Sequence, residues 1–202
     1  MELLTATQLQ NYCETHPRQF QALLPELIKR LIICSQSSVN GIRIPYSDDI
    51  WAPGFDGIIE CSNDSTYVDS GISVWEFGTN SNVLSKINED YKKRTEDSLG
   101  VDKAEATFYL VTPRVWAVQS ISIKEWEQEK TDWKSVRVYD GVVLADWINS
   151  EPAVYAWLYE CLFRQSRPDF ETVSSSWNHF SSKTNPSLSS LMFLDKRENG
   201  VQ

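Results

Sequence analysis

The sequence predicts an α/β domain, a mixed central β-sheet flanked by α-helices with further helices at the N-terminus, and three observations predict it. Short apolar or alternating runs, Gly57-Ile58-Ile59-Glu60-Cys61, Ile72-Ser73-Val74-Trp75-Glu76-Phe77, Thr107-Phe108-Tyr109-Leu110-Val111-Thr112 and Ser135-Val136-Arg137-Val138-Tyr139, have the length of strands. Segments with apolar residues three and four apart, most clearly Leu24, Leu27, Ile28, Leu31 and Ile32, lie before and between those runs. The chain has 202 residues, 41% hydrophobic and 12% aromatic, enough apolar surface to offset the entropy of ordering one core.

Taken in order, residues 5–20 read as a helix and a second helix begins at Pro25, because proline suits a first helical turn. Glu26 and Arg30, four apart, can pair along its flank. Residues 41–46 form a short β-like run, and Pro53-Gly54 marks a turn. The runs at 57–61 and 72–77, separated by a polar loop, suggest a β-hairpin. Period two puts Ile72, Val74, Glu76 and Gly78 on one face of its second strand and Ser73, Trp75 and Phe77 on the other. Residues 82–97 read as a helix, 107–112 as a central strand, 122–133 as a helix, 135–139 as a strand, and 142–148 and 152–165 as closing helices. The expected domain is 1–168, with the N-terminal helices of 1–37 packed on it, and the Ser/Thr-rich 169–202 is an extension or linker.

Several chemistries are not written here. There is no GxxxxGK[ST] and no GxGxxG after a strand, so no nucleotide-driven machine is encoded. Cys13, Cys34, Cys61 and Cys161 form no CxxC pair, and buried reduced thiols are the expectation. Two histidines, His16 and His179, leave catalysis to carboxylates and lysine. No apolar stretch is long enough for a membrane span, and the first residues carry neither a secretory signal nor a transit peptide, so a cytoplasmic location is expected. The net charge of −9 argues against broad nucleic-acid affinity, although a carboxylate-rich metal centre with a small basic face is compatible with it.

Asp56 and Glu76, twenty residues apart, open one hairpin strand and end the other, which brings two carboxylates to one end of the sheet if the strands are antiparallel. Such a pair repels unless a cation or a proton stands between its members. Four blocks, Leu24-Pro25-Glu26-Leu27-Ile28-Lys29-Arg30-Leu31-Ile32, Pro53-Gly54-Phe55-Asp56-Gly57-Ile58-Ile59-Glu60, Gly71-Ile72-Ser73-Val74-Trp75-Glu76-Phe77-Gly78-Thr79 and Lys86-Ile87-Asn88-Glu89-Asp90-Tyr91-Lys92-Lys93-Arg94-Thr95, carry a resemblance. Through them residues 23–162 resemble the PD-(D/E)XK restriction-endonuclease-like superfamily, closest to its Mrr-like members. These blocks are similar to the N-terminal nuclease module of bacterial anti-phage proteins that carry a STAND or NACHT-type NTPase. The resemblance implies a restriction-endonuclease-like fold and a Mg²⁺- or Mn²⁺-dependent endonuclease acting on DNA, with a fused or associated sensor NTPase and a homo-oligomer as partners. It matches Asp56 to the metal-binding aspartate, Glu76 to the acidic strand position and Glu26 to a helix-borne acid.

The sequence departs from the motif at Gly78, which stands where its lysine should be. Gly78 leaves space on the Glu76 face, and Lys86 on the next helix is the best cation to fill it. Lys86, Asp90 and Arg94 form an i, i+4, i+8 stripe there, and migrated lysines occur in the superfamily. Each residue has a second reading: Asp56 as a turn residue, Glu76 as a buried partner of Arg94, Lys86 as a partner of Asp90, and Glu26 as a first-turn acid or partner of Arg30. Glu60 completes a ligand set or is a solvated strand residue, and Lys92, Lys93 and Arg94 meet phosphates or form a solvated face. Trp51 stacks on a base or caps the core, and Tyr91 belongs to the core. The alternative to an enzyme is a degenerate nuclease fold serving as a binding or oligomerisation module.

Overall fold

The structure is a computed structural model that describes residues 3–45, 54–164, 173–185 and 188, with 173–175 described by backbone alone. Tyr46, Trp51 and Pro53 lie outside the described residues, as do parts of the C-terminal stretch. The chain divides into two compact units, Glu2–Leu158 and Tyr159–Gln202, Met1 being grouped with the second.

The first unit is a mixed α/β fold. It contains α1 (Ala6–Thr15), α2 (Pro17–Ser35), β1 (Val39–Arg43), β2 (Gly57–Cys61), β3 (Gly71–Phe77), α3 (Val83–Glu96), β4 (Ala106–Val111), α4 (Ile123–Gln128), β5 (Ser135–Tyr139) and α5 (Gly141–Ser150). The helix α6 (Pro152–Phe163) begins in this unit. The five strands lie in chain order, with β1, β2 and β3 antiparallel and β3, β4 and β5 parallel. That change of sense follows from the connections, because the polar loop of residues 62–70 returns the chain antiparallel from β2 to β3, whereas α3 and α4 are crossovers that carry it back parallel.

β4 is buried at every position, as a central strand covered on both faces must be. One face packs Val74, Phe108, Leu110, Val136 and Val138 against Val83, Ile87 and Tyr91 of α3 and Trp126 of α4. The opposite face stacks Trp75 on Tyr109 with ring centroids 4.0 Å apart, and Trp147 of α5 lies against both Trp75 and Tyr139. The Trp147 indole in turn donates to the Ser35 hydroxyl at 3.1 Å, tying α2 to this face. Strand alternation thus sends Val74 and Glu76 toward α3 and Trp75 toward α2 and α5.

The helix boundaries have local causes. Asn82 caps α3 through the Ser85 N–H, and Ser122 with Glu125 forms a capping box on α4. Asp140 caps α5 through the amides of Val142 and Val143 while its other oxygen accepts from the Trp116 N–H. The expected helix start at Pro25 is corrected: Pro17 occupies the first turn, and Pro25 sits inside one 19-residue helix. An internal proline removes a backbone hydrogen bond at a cost of about 3 kcal/mol. Burial of Phe20, Leu24, Leu27, Ile28, Leu31 and Ile32, each 1% exposed or less, outweighs it.

Smaller corrections concern element ends and thiols. The helix expected over 122–133 stops at Gln128, although Trp133 still enters the core, and the first strand is Val39–Arg43 rather than 41–46. Cys13 and Cys61 are buried as expected, but Cys34 and Cys161 are exposed. In the second unit α7 (Val173–Ser181) is a helix where only an extension was expected, and its Trp177 and Phe180 rings lie 6.0 Å apart. Among the described residues no helix is long and apolar enough to cross a membrane.

Candidate functional site

The hairpin register opposes Gly57 to Trp75, which sets Asp56 beside Glu76 and Phe77. The Asp56 carboxylate accepts from the Phe77 N–H at 2.7 Å and lies beside the Glu76 carboxyl. Neighbouring carboxylates repel unless a proton or a cation stands between them. Burial, and then the Asp56 charge, push Glu76 up from 4.5 to about 7 against the opposing pull of Arg94. Asp56 is raised as well, by burial, with the Phe77 N–H the main influence against it.

Helix α3 brings the opposite charges. Arg94, only 6% exposed, donates from Nε to Glu76 Oε1 and from a terminal nitrogen to the Gly54 carbonyl, with its guanidinium over the Phe55 ring at 4.8 Å. One turn earlier, buried Asp90 accepts from Lys86 Nζ at 2.6 Å. Burial works against the Lys86 charge, but the Asp90 hydrogen bond and carboxylate, followed by Glu89 and Glu76, outweigh it and hold the ammonium above its ordinary value. Burial raises Asp90 despite that partner.

The aliphatic stem of Lys86 crosses Gly78 so closely that a β-carbon on Gly78 would lie 3.3 Å from Lys86 Cγ. The space left by the missing side chain is therefore filled from α3. Glu76, Gly78, Lys86 and Asp90 line a cavity of about 10 Å³, with Asn80 and Thr112 among its other walls. That is room for about one water or small ion.

Asp56, Glu76, Lys86, Asp90 and Arg94 are thus brought together, and the other residues singled out in the sequence are not. Glu26, in the middle of α2 rather than its first turn, binds Arg30 at 2.7 Å and faces a separate cleft of about 310 Å³ with Lys29, Arg30, Ile33, Cys34, Ala153 and Val154. Glu60 is exposed at the far end of β2, opposite Ile72. Lys93 is exposed on the outer face of α3, and Lys92 pairs loosely with Glu96 at 3.8 Å. Tyr91 is in the core, its hydroxyl donating to Asp132 at 2.5 Å. Trp51 lies outside the described residues.

Three contributors escaped the sequence reading: the Gly54 carbonyl, Asn80 and Thr112. A backbone carbonyl has no side-chain signature, and Asn80 and Thr112 are single polar residues at strand ends, so only the parallel pairing of β3 with β4 joins them.

Two hard carboxylate oxygens that repel without a cation are a donor set suited to Mg²⁺ or Mn²⁺, which often bind through one or two carboxylates. No cluster of three or more His, Cys, Asp or Glu side chains arranged to hold a metal occurs among the described residues. Any ion here would rest on Asp56, Glu76 and non-carboxylate oxygens. No family model, curated protein or solved structure matches the chain.

Proposed function

We propose that the chain is a metal-dependent endonuclease of PD-(D/E)XK type that hydrolyses DNA phosphodiester bonds as an effector of bacterial anti-phage defence in the cytoplasm. The observation that carries the reading is half-buried Asp56 beside buried Glu76, with the Lys86 stem laid across Gly78. Asp56 and Glu76 would hold Mg²⁺ or Mn²⁺. Bound there, the ion supplies a nucleophilic water near neutral pH and relief of charge on the phosphate oxygens.

The chain's own residues do the rest. Asp56, anchored on the Phe77 N–H, and Glu76, fixed in β3, hold their carboxyls side by side. Lys86, kept protonated by Asp90, presents a cation beside the carboxylates, where it offsets negative charge developing on a scissile phosphate. DNA as substrate, a sensor NTPase and self-assembly are carried by the sequence resemblance. The net charge of −9 favours gating by such partners, because an acidic domain has little intrinsic affinity for DNA.

A second reading, a degenerate nuclease fold used for binding or assembly, is favoured by one feature: Arg94 already neutralises Glu76 beside a cavity of only about 10 Å³. Supercoiled-plasmid cleavage with Mg²⁺ or Mn²⁺ at several protein concentrations, beside Glu76→Ala and Lys86→Ala, separates the two. The nuclease reading expects metal-dependent nicking lost in both variants. Nicking that survives Glu76→Ala would refute the site, and an intact chain that neither nicks DNA nor gains thermal stability from the ion would establish the second reading.

A further inference from the structure

The Arg94 guanidinium is placed as a substitute for an inorganic cation. It spans two oxygens from different elements, Glu76 Oε1 of β3 and the Gly54 carbonyl just before β2, and Asp56 lies beside Glu76. A planar fork of donors that binds two oxygens at once does with +1 charge, through hydrogen bonds, what a small dication does by direct coordination. The oxygens are the same hard type in both cases, one carboxylate and one peptide carbonyl. A residue serving only to tie α3 to the sheet needs no ionic partner at this depth, because replacing a buried ion pair by apolar side chains is commonly neutral or stabilising.

We propose that Arg94 is the resident counter-cation of this site, that a divalent cation and the Arg94 guanidinium hold Glu76 and the Gly54 carbonyl alternately, and that the Gly54 carbonyl is a third oxygen ligand beside Asp56 and Glu76. The proposal rests on the metal-site reading above and deepens it, since it makes metal entry conditional on withdrawal of one side chain. Asp90, four residues before Arg94 on α3 and buried on the same side, is a carboxylate to which the released guanidinium can turn. Arg94 is a positioning and gating residue here, with no direct part in the chemistry.

The test is a Mn²⁺ titration of the whole chain followed by electron paramagnetic resonance, on wild type, Arg94→Gln and Arg94→Lys, with Asp56→Asn as the variant that should lose the site. Circular dichroism and thermal unfolding without metal run beside it. Arg94→Gln should lower the half-saturating Mn²⁺ concentration by about tenfold or more, because the ion no longer displaces a bound guanidinium and relieves a carboxylate left unpaired. Arg94→Lys should lower it by a smaller factor, because an ammonium cannot span both oxygens. A merely structural arginine would lower the melting temperature without moving the half-saturation point.

If Arg94→Gln does not fold, Arg94→Lys carries the test, and half-saturation equal to wild type would overturn the proposal. Wild-type binding lost in Asp56→Asn but unchanged or weakened in both Arg94 variants would overturn the gate and leave the metal site standing. Absence of Mn²⁺ binding in wild type and in both Arg94 variants would overturn gate and site together.

Discussion

Replacing Glu76 by Gln should flatten the pH dependence of stability, because Glu76 is the carboxyl whose protonation the fold alters most clearly. The group sits 7% exposed among Asp56, Asp90, Lys86 and Arg94, and burial together with the Asp56 charge moves it from 4.5 to about 7. Below 4.5 both folded and unfolded chains hold the proton, so the protonated form's full stability is present. Between 4.5 and about 7 the unfolded chain has released it while the folded chain retains it, and stability falls as pH rises. At about 1.4 kcal/mol per pH unit the loss amounts to about 3 kcal/mol, complete above the folded value.

Asp56 and Asp90 are raised too and add in the same direction, so the informative quantity is the difference between wild type and variant. Gln keeps the shape, can accept from Arg94 and can donate to Asp56, but does not titrate. Urea denaturation in chelator at half-unit pH steps reads both slopes. Wild type should lose about 3 kcal/mol more than Glu76→Gln across the window. Parallel curves would refute the reasoning, since the dependence would then belong to other groups.

Three further outcomes follow from contacts already described. Glu26→Gln removes a pair whose side chains are 44% and 31% exposed, so it should cost no more than about 1 kcal/mol in urea denaturation and leave metal-dependent stabilisation unchanged. Gly78→Ala puts a β-carbon 3.3 Å from Lys86 Cγ; the flexible stem can shift, so stability should fall by about 1 kcal/mol while plasmid nicking falls about tenfold or more. Trp75→Ala removes a fully buried ring stacked on Tyr109 and should cost about 3–5 kcal/mol in urea denaturation, with a midpoint unchanged from wild type as the contrary result.

Where local rules and tertiary packing agree, the sequence is readable. The ends of β2 and β5 match their apolar patterns to the residue, and Asn82 marks the start of α3 because its side chain caps the helix. The juxtaposition of Asp56 and Glu76 was legible because a hairpin fixes register, and the approach of Lys86 to Gly78 was legible because a missing side chain and a helical stripe faced one another. Pro25 misled because proline's local preference points to a first turn, whereas the buried apolar stripe of α2 runs straight through it. Glu26 misled with it, since its placement in a first turn depended on that boundary. The Arg94 contact with the Gly54 carbonyl was illegible, because backbone acceptors look alike in a sequence and become distinct only when a loop closes over a helix.

The arrangement has a charge asymmetry that a structural role does not require. The residue before β2 contributes Asp56, β3 contributes Glu76, and α3 contributes Lys86, Asp90 and Arg94 at successive turns, which gives three acids against two bases, with Glu76, Asp90 and Arg94 buried. Arg94 answers Glu76 and Lys86 answers Asp90, leaving Asp56 with a hydrogen bond from the Phe77 N–H and the attraction of Arg94 and Lys86 without a bonded cation. A proton or an added cation can offset that last charge, and burial, which raises both carboxyls, favours the proton when no cation is bound. The odd carboxylate is therefore the feature that argues for a ligand, and a dication, unlike the proton, would leave both acids ionised and oriented at neutral pH.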